Sequence, residues 1–411
     1  MSATILAIGL MVFFAHFLSL QFRKTNIPDV LVLMLMGIIL GPVLGIVTPQ
    51  DFGKVGSVVA TIALVVILFE SGTSLNLHVL GKSLATTGIL SLVCFALTSV
   101  IITLGGYAAL GLPWISAILL GVTLGGTSSA VVIPMVEALR LSEKPATVLV
   151  LESSITDVLS IVGVFALLQI YTQGSIEPGR LAGGVLSSLF IAAVFGVLGG
   201  IGWLMVLGRV RDFPNTISST LAYVFIVYGA TEALGFSGAI AALTLGITLT
   251  NFEKFGLHRL HRIDQHIVPL NEMDFVFYRE AVFLLKTYFF VYLGVSIRFG
   301  EFYLAVVAVI MVLLAYAMRL ALTRFALSSQ IYSLRDAAFT SMMAPKGLAA
   351  AVLAALPLEY GIAGGEVIRD TTYMAVLVSI TFTALLVMVY PTRIAQRFYA
   401  RAMGKSIPSD T

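Results

Sequence analysis

Two acidic residues, Glu152 and Asp157, lie in one long apolar stretch of this sequence. On an α-helix, residues five apart differ by roughly 140° in direction, so these two carboxylates do not form one binding pair. Ser153 lies four residues before Asp157 and shares its face. A buried carboxylate with hydroxyl neighbours and no obligatory cation favours its neutral form. We therefore predict that Asp157 holds either a proton or a small dehydrated cation, and that the two compete.

Oxygen atoms near Asp157 complete the predicted site, because alkali cations prefer oxygen ligands. The candidates are hydroxyl groups from its own stretch and from an interrupted stretch elsewhere, with backbone carbonyls that the interruption frees. The candidate ligands of the cation are Thr127, Ser128, Ser153 and Thr156. The alternative is a structural aspartate that is bonded to a neighbouring serine or threonine. The site needs no cofactor, and its transported ions are H+ with Na+, K+ or Li+.

Glu152 needs a partner from another segment, because a charge at membrane depth costs a few kcal/mol. Arg319 lies in the middle of another apolar stretch, and a guanidinium can hold a carboxylate through two hydrogen bonds. We predict a structural ion pair between them. A second pair of Glu70 with Lys346 is possible, although Lys346 could also offset the carbonyl ends of half-helices. The sequence leaves the role of Lys286 open.

Membrane-spanning helices must carry these residues. The chain has 411 residues, of which 59% are hydrophobic and 11% charged, and its mean hydropathy is +1.02. Soluble domains carry about 25% charged residues, so a soluble globular enzyme is excluded. The basic residues are scattered singly between apolar runs, which gives nucleic-acid binding no support. The composition is typical of an all-α polytopic protein in a lipid bilayer.

Apolar stretches bounded by charge, Pro or Gly predict about thirteen spanning helices. Lysine and arginine are much more frequent in the loops on one side than on the other. The positive-inside rule then places the N-terminus outside and the C-terminus in the cytoplasm. The predicted spans are 2–22, 27–47, 55–73, 84–111, 114–138, 146–171, 182–208, 217–234, 236–250, 281–297, 302–327, 336–357 and 371–392.

Glycine, proline and small polar residues interrupt two of these spans, at 121–134 and 340–349. The two interrupted spans are seven apart in order, which is typical of an inverted-repeat transporter with two crossing discontinuous helices. We expect one membrane transporter unit over 1–411, divided into a first repeat (1–171), a linking span (182–208), a second repeat (217–392), a cytoplasmic interfacial connector (251–280) and a cytoplasmic tail (393–411). The connector carries His258, His261 and His266, and a plain connecting role is favoured over pH sensing.

The segment from Glu152 to Asp157, Glu-Ser-Ser-Ile-Thr-Asp, resembles the Glu-Ser-x-x-Asn-Asp motif of the monovalent cation/proton antiporters. The similarity is greatest to the NhaP-like branch, which is related to the eukaryotic sodium/proton exchangers. It extends over nearly the whole chain. Further matches are Arg319 and the segments 68–72, 289–294 and 345–348.

This resemblance implies a homodimer in which a core domain slides against a dimerisation domain. It also implies that Asp157 binds both ion and proton, that Glu152 pairs with Arg319, and that Thr127 and Ser153 help to hold the ion. Two differences are notable: Thr156 stands where the family usually has Asn, and residues 127–129, Thr-Ser-Ser, replace Thr-Asp-Pro.

The leading hypothesis is a sodium/proton antiporter of a prokaryotic plasma membrane that serves pH and salt homeostasis. One titrating carboxylate that trades one proton for one monovalent cation predicts electroneutral 1:1 exchange by alternating access. Potassium/proton exchange is the alternative within transport. A passive cation channel or a regulatory membrane protein is the alternative from another class.

Overall fold

The computed structural model describes residues 9–10, 12–17, 28–74, 89–173, 178–210, 218–253, 270–326 and 333–405. These residues form helices and turns without a strand, which confirms the all-α class. The α-helices are α1 (Asp29–Ile38), α2 (Gly53–Ser74), α3 (Ile89–Ala108), α4 (Trp114–Gly125), α5 (Ser129–Leu139), α6 (Glu143–Gln173), α7 (Pro178–Val210), α8 (Ser219–Ala233), α9 (Gly238–Thr250), α10 (Glu272–Ser296), α11 (Phe302–Ala326), α12 (Leu334–Met342), α13 (Leu348–Leu353), α14 (Leu356–Glu359), α15 (Gly365–Val389) and α16 (Arg393–Met403).

Six helical segments in the described part of the chain are long and apolar enough to cross a bilayer. Shorter apolar helices accompany them, among them α9 and the segment from α1 to Val43. The predicted first span, 2–22, falls mostly outside the described residues, so the number thirteen stays a prediction. The six segments are Ser91–Ala108, Trp114–Val136, Lys144–Thr172, Phe190–Leu207, Phe302–Phe325 and Gly365–Val389.

The chain divides into two compact units that differ from the predicted repeats. The first unit comprises Met1–Phe52, Ala85–Val164 and Thr287–Thr411, and the second comprises Gly53–Leu84 and Phe165–Lys286. Each compact unit contains residues from both halves of the chain, so the predicted sequence repeats do not coincide with the compact units. The repeats themselves stay a prediction.

In the first unit, α1 packs against the last turns of α10 through two facing glycines. A Cβ atom on Gly37 would lie 2.9 Å from the Cα of Gly294 and would also clash with the Val291 carbonyl. Small residues allow membrane helices to approach this closely. In the same unit α3 packs against α4 and α11, and α11 packs against α15.

In the second unit, α9 packs against α2, α7 and α8. Gly72 of α2 faces Gly246 of α9, and a Cβ atom on either glycine would clash with the backbone of the other helix. The Trp203 ring stacks on Tyr223 with centroids 4.6 Å apart, and its Nε1 donates to the Thr220 hydroxyl at 3.1 Å. These contacts lie in the hydrophobic core of this unit.

Helix α10 begins nine residues earlier than the predicted span at 281–297, because Asn271 and Asp274 cap it. The Asp274 N–H donates to the Asn271 side chain at 2.8 Å, and the Asn271 N–H donates to the Asp274 carboxylate at 2.9 Å. Such reciprocal capping stabilises a helix start. Helix α10 thus includes the last residues of the predicted connector at 251–280, and the extent of the connector stays a prediction. Its three histidines lie outside the described residues.

Candidate functional site

Both predicted interruptions are present in the first unit as non-helical segments that separate two half-helices. Residues 126–128 separate α4 from α5, and residues 343–347 separate α12 from α13. Pro134 lies inside α5 and does not break it. The two breaks contact each other, because the Ser128 N–H donates to the Pro345 carbonyl at 2.8 Å. A Cβ atom on Gly347 would collide with the Ser128 side chain, so this approach requires glycine.

Lys346 places a buried ammonium group at this meeting point. Its Nζ donates to the carbonyl of Gly126 at 2.9 Å, and its backbone N–H donates to the Ser379 hydroxyl at 2.9 Å. Gly126 follows the last residue of α4, where the unpaired carbonyls of a helix concentrate negative charge. Lys346 therefore offsets the carbonyl end of a half-helix, which is one of the two roles predicted for it. Its charge also interacts with those of Glu152 and Asp157.

Asp157 of α6 lies at the N-terminus of the half-helix α5. Its Oδ2 accepts a hydrogen bond from the Ser129 hydroxyl at 2.6 Å and another from the Ser129 N–H at 3.3 Å. Ser129 is the first residue of α5, so its N–H belongs to the positive end of that helix. The side chain is 8% exposed. The two groups of Ser129 that donate to Asp157 are both neutral.

Thr127 and Thr156 contact each other, which ties the first break to α6. The Thr156 hydroxyl accepts from the Thr127 N–H at 3.1 Å and lies 3.3 Å from the Thr127 hydroxyl oxygen. The same hydroxyl donates to the Ser153 carbonyl at 3.3 Å. Two of the predicted cation ligands, Thr127 and Thr156, are therefore adjacent, and Thr156 directly precedes Asp157 in the chain.

The other two predicted ligands make different contacts. The Ser153 hydroxyl donates to the Val150 carbonyl of its own helix at 3.0 Å. Ser128 is buried at the contact of the two breaks, beside Gly347. A hydroxyl group can turn its lone pairs toward a cation while it keeps a donor bond. These two serines stay predicted ligands that the structure places on α6 and in the first break.

Glu152 and Arg319 form a buried ion pair with two hydrogen bonds. The Arg319 Nη2 donates to the Glu152 Oε2 at 2.8 Å, and its Nη1 donates to the Glu152 Oε1. The two side chains are 2% and 4% exposed, respectively. In this two-pronged geometry a guanidinium matches a carboxylate best, and each charge lowers the cost of burying the other.

Arg319 also contacts two further elements of the first unit. It lies on α11, and its Nε donates to the Thr340 carbonyl of α12 at 3.0 Å. Its Nη1 lies 3.5 Å from the Cys94 sulfur of α3. Cys94 is the single cysteine of the sequence, and its side chain is buried beside the guanidinium.

Glu70 belongs to the second unit, where it lines a cavity of about 430 Å³ with Thr73, Glu272 and Arg279. The nearby positive charges that act on its carboxylate are those of Arg279 and Lys286. Lys346 belongs to the first unit and donates to Gly126. The structure therefore gives each member of the predicted Glu70–Lys346 pair other neighbours.

Lys286 is buried in the second unit, with its Nζ 5.8 Å from the centroid of the Phe283 ring. Sequence reasoning missed Ser129 as a partner of Asp157. The signal that could have found it is its place directly after a Gly-Gly-Thr-Ser break, because the N-terminus of a half-helix commonly points at an anionic group.

Crossed breaks, a buried carboxylate at a half-helix N-terminus and several apolar spanning helices define a multi-pass membrane transporter rather than an enzyme. A family model described as "Sodium/hydrogen exchanger, transmembrane" matches residues 9–389. The chain belongs to this family of secondary transporters.

Individual relatives are distant in sequence. The chain is 25% identical to a K(+)/H(+) antiporter NhaP2 from Shewanella sp. (strain MR-4), over 87% of this chain and 61% of that protein. It is 28% identical to sodium/hydrogen exchanger 8 of Arabidopsis thaliana, over 57% of this chain and 33% of that protein. This chain thus covers about three fifths of the Shewanella relative.

The fold is similar to that of the sodium proton antiporter MjNhaP1 from Methanocaldococcus jannaschii at pH 8. The TM-score is 0.74 at 20% identity, and the match covers 93% of this chain and 99% of that one. The likeness therefore extends over almost the entire chain and agrees with the predicted antiporter fold.

Proposed function

We propose that this protein exchanges a monovalent cation for protons, with Asp157 as the carboxylate for which both compete. The observation that carries the proposal is the difference between the two carboxylates of α6. Arg319 holds Glu152 through two charge-assisted bonds, whereas Asp157 accepts from the hydroxyl and N–H of Ser129. The hydroxyl and N–H of Ser129 are neutral donors and do not cancel the negative charge of Asp157, whereas a proton removes that charge.

Exchange results because Asp157 binds either one cation or one proton at a time. A cation at Asp157 is coordinated by the carboxylate together with the predicted oxygen ligands Thr127, Ser128, Ser153 and Thr156. A proton at Asp157 removes the charge that holds the cation and so releases it. If the site opens alternately to each side, in an elevator-like movement, each cycle moves one cation one way and one proton the other way. This stoichiometry is electroneutral.

Sodium is the proposed cation, and potassium is the second candidate. One observation favours potassium: the Shewanella relative is named a K(+)/H(+) antiporter. Thr156, which stands where the family usually has Asn, leaves the selectivity between the two cations open. A changed ligand next to the carboxylate alters cavity size and ligand number together, and these two quantities set selectivity among alkali cations.

Reconstituted protein tests the proposal. Liposomes carrying an internal pH dye and an imposed pH gradient receive Na+, Li+ or K+ while the membrane potential is clamped with ionophore. We expect the cation to dissipate the gradient in proportion to the amount of protein, and the order of half-saturating concentrations gives the selectivity. A passive channel would move charge and leave the internal pH unchanged under the clamp, which would contradict the proposal.

We further propose a homodimer in the plasma membrane, with the N-terminus outside and the C-terminus in the cytoplasm. The excess of lysine and arginine in the loops of one side supports this orientation, and the dimer rests on family resemblance. Cysteine accessibility at exposed positions such as Lys144, read with an impermeant thiol reagent in intact cells, tests the orientation. Labelling of Lys144→Cys from the outside would overturn it.

A further inference from the structure

The last helix of the described chain, α16, is an independent feature that the exchange mechanism does not use. Its own sequence bounds it: the Thr392 hydroxyl accepts from the Ala395 N–H at 3.3 Å, and Gly404 ends it with a φ of 62°. Only residues 390–392 separate it from α15, which is long and apolar enough to cross a bilayer. Because so few residues intervene, α16 must lie at the membrane surface.

One side of α16 is covered by the protein. Tyr399, Ala400 and Met403 are buried, and the helix packs against α11 and α12. The ring of Tyr399 lies 6.1 Å from that of Tyr390, which in turn lies 4.8 Å from the ring of Phe339 on α12. These contacts fix the orientation of α16 relative to the rest of the first unit.

A second apolar side of α16 is largely exposed in the part of the chain that the structure describes. Ile394 is 82% exposed and Phe398 is 55% exposed, and a spacing of four residues places them on one face. Exposed side chains of this size placed together mark a surface that contacts an apolar partner or a membrane. The buried face is separate from this one, so the covering helices do not account for these two residues.

Three arginines border the exposed apolar face. Arg393, Arg397 and Arg401 follow one another at intervals of four residues, and all three are exposed. With about 100° of rotation per residue, this row lies directly beside Ile394 and Phe398. A basic row next to an apolar row is the pattern of helices that lie in the interface of an anionic membrane.

We propose that α16 binds anionic phospholipid in the same bilayer. Ile394 and Phe398 insert at the boundary between headgroups and acyl chains, and the arginines bind phosphate oxygens, for which the guanidinium fork is suited. A lipid surface fits better than a soluble protein, because the adjoining spanning helix already holds α16 at that surface.

Lipid bound to α16 acts on α12 through the aromatic contacts. Helix α12 carries Thr340, whose carbonyl accepts from Arg319, and it ends at the break that contains Lys346. Anionic lipid therefore stabilises the half-helix that supports the buried ion pair. This consequence does not depend on which cation is transported.

Thermal melting of the full chain in mixed micelles tests the proposal without a transport assay. We expect phosphatidylglycerol to raise the melting temperature more than phosphatidylcholine does. A basic residue near an anionic surface is worth about fivefold in binding, so three are worth roughly 100-fold. The variant Arg393→Gln/Arg397→Gln/Arg401→Gln should therefore need about 100-fold more phosphatidylglycerol for half of the shift, and the corresponding triple Lys variant should retain most of the response.

A matched control removes the same number of charges elsewhere, in Arg140→Gln/Lys144→Gln/Arg209→Gln. These three residues are exposed and lie away from α16 in sequence. This variant should keep the phosphatidylglycerol response of the parent protein. An equal loss in the control, or no preference of the parent for phosphatidylglycerol, would overturn the proposal.

A spectroscopic reporter keeps the test valid if the triple Gln variant does not fold. In reconstituted Phe398→Trp, after subtraction of the parent signal, brominated phosphatidylglycerol should quench the new tryptophan. Absence of quenching would show that water or a protein covers this face, and the lipid proposal would then be abandoned.

Discussion

The two carboxylates Glu152 and Asp157 are side chains of one membrane helix, α6, but they have different hydrogen-bond partners. Glu152 meets a guanidinium in a two-pronged pair, and both partners are almost fully buried. Asp157, five residues later, meets the hydroxyl and N–H of Ser129 at the start of a half-helix. The difference teaches that burial alone does not decide what a carboxylate does. A guanidinium holds Glu152 through two charge-assisted bonds, whereas the groups of Ser129 that donate to Asp157 are neutral.

The largest expected effect is on exchange at Asp157. The change Asp157→Asn keeps the size of the side chain and one oxygen that can accept from Ser129, but it removes the charge and the site of protonation. We therefore expect exchange to fall to the level of liposomes without protein. Melting should show that the variant still folds. Asp29→Asn, which alters another buried carboxylate of the first unit, is the control and should transport. Normal turnover in Asp157→Asn would contradict the proposal that Asp157, and not Glu152, binds the transported ions.

Removal of Glu152 tests whether its ion pair with Arg319 stabilises the fold. Glu152→Ala leaves the Arg319 charge buried without its carboxylate, which typically costs about 3–5 kcal/mol. We expect a large fall in melting temperature in detergent. The double variant Glu152→Leu/Arg319→Met replaces both charges by apolar groups and should recover part of the loss. If the separate losses of Glu152→Leu and Arg319→Met simply add in the double variant, the pair is not the stabilising interaction.

Ser129→Ala tests whether neutral donors set the balance at Asp157. The charged carboxylate loses a hydrogen bond worth about 1.5–3 kcal/mol, so protons should displace the cation more easily. We expect the pH profile of exchange to move upward by about one to two pH units, since 1.36 kcal/mol corresponds to one unit. Ser129→Thr keeps the hydroxyl and should stay close to the parent. A profile that does not move would show that this bond is incidental.

Thr156 lies between the two carboxylates in sequence and should give the smallest effect. Thr156→Asn introduces a longer side chain with an amide in place of the hydroxyl that accepts from Thr127. We expect the ratio of half-saturating Na+ and K+ concentrations to change by up to about tenfold, which corresponds to about 1.4 kcal/mol. The melting temperature should change little. An unaltered ratio with a lower melting temperature would make Thr156 structural.

Much of the fold is predictable from the sequence because a bilayer restricts the possibilities. In lipid, backbone groups must bond within helices, so apolar length and charge placement give most spans to within a few residues. The predicted start of α10 was wrong because Asn271 and Asp274 extend the helix beyond the apolar stretch. Capping depends on specific side-chain bonds that a hydropathy pattern does not contain.

The sequence by itself determined the helical class, the two interruptions and the presence of charges that must find partners in the membrane. Only the tertiary structure decided the partners: Arg319 with Glu152, Ser129 with Asp157, and Lys346 with the carbonyl of Gly126. The physical reason is distance along the chain. A charged side chain that is buried in the membrane needs a partner, and the local sequence is enough to show this need. Which of several residues far away in the chain becomes that partner depends on how the helices pack.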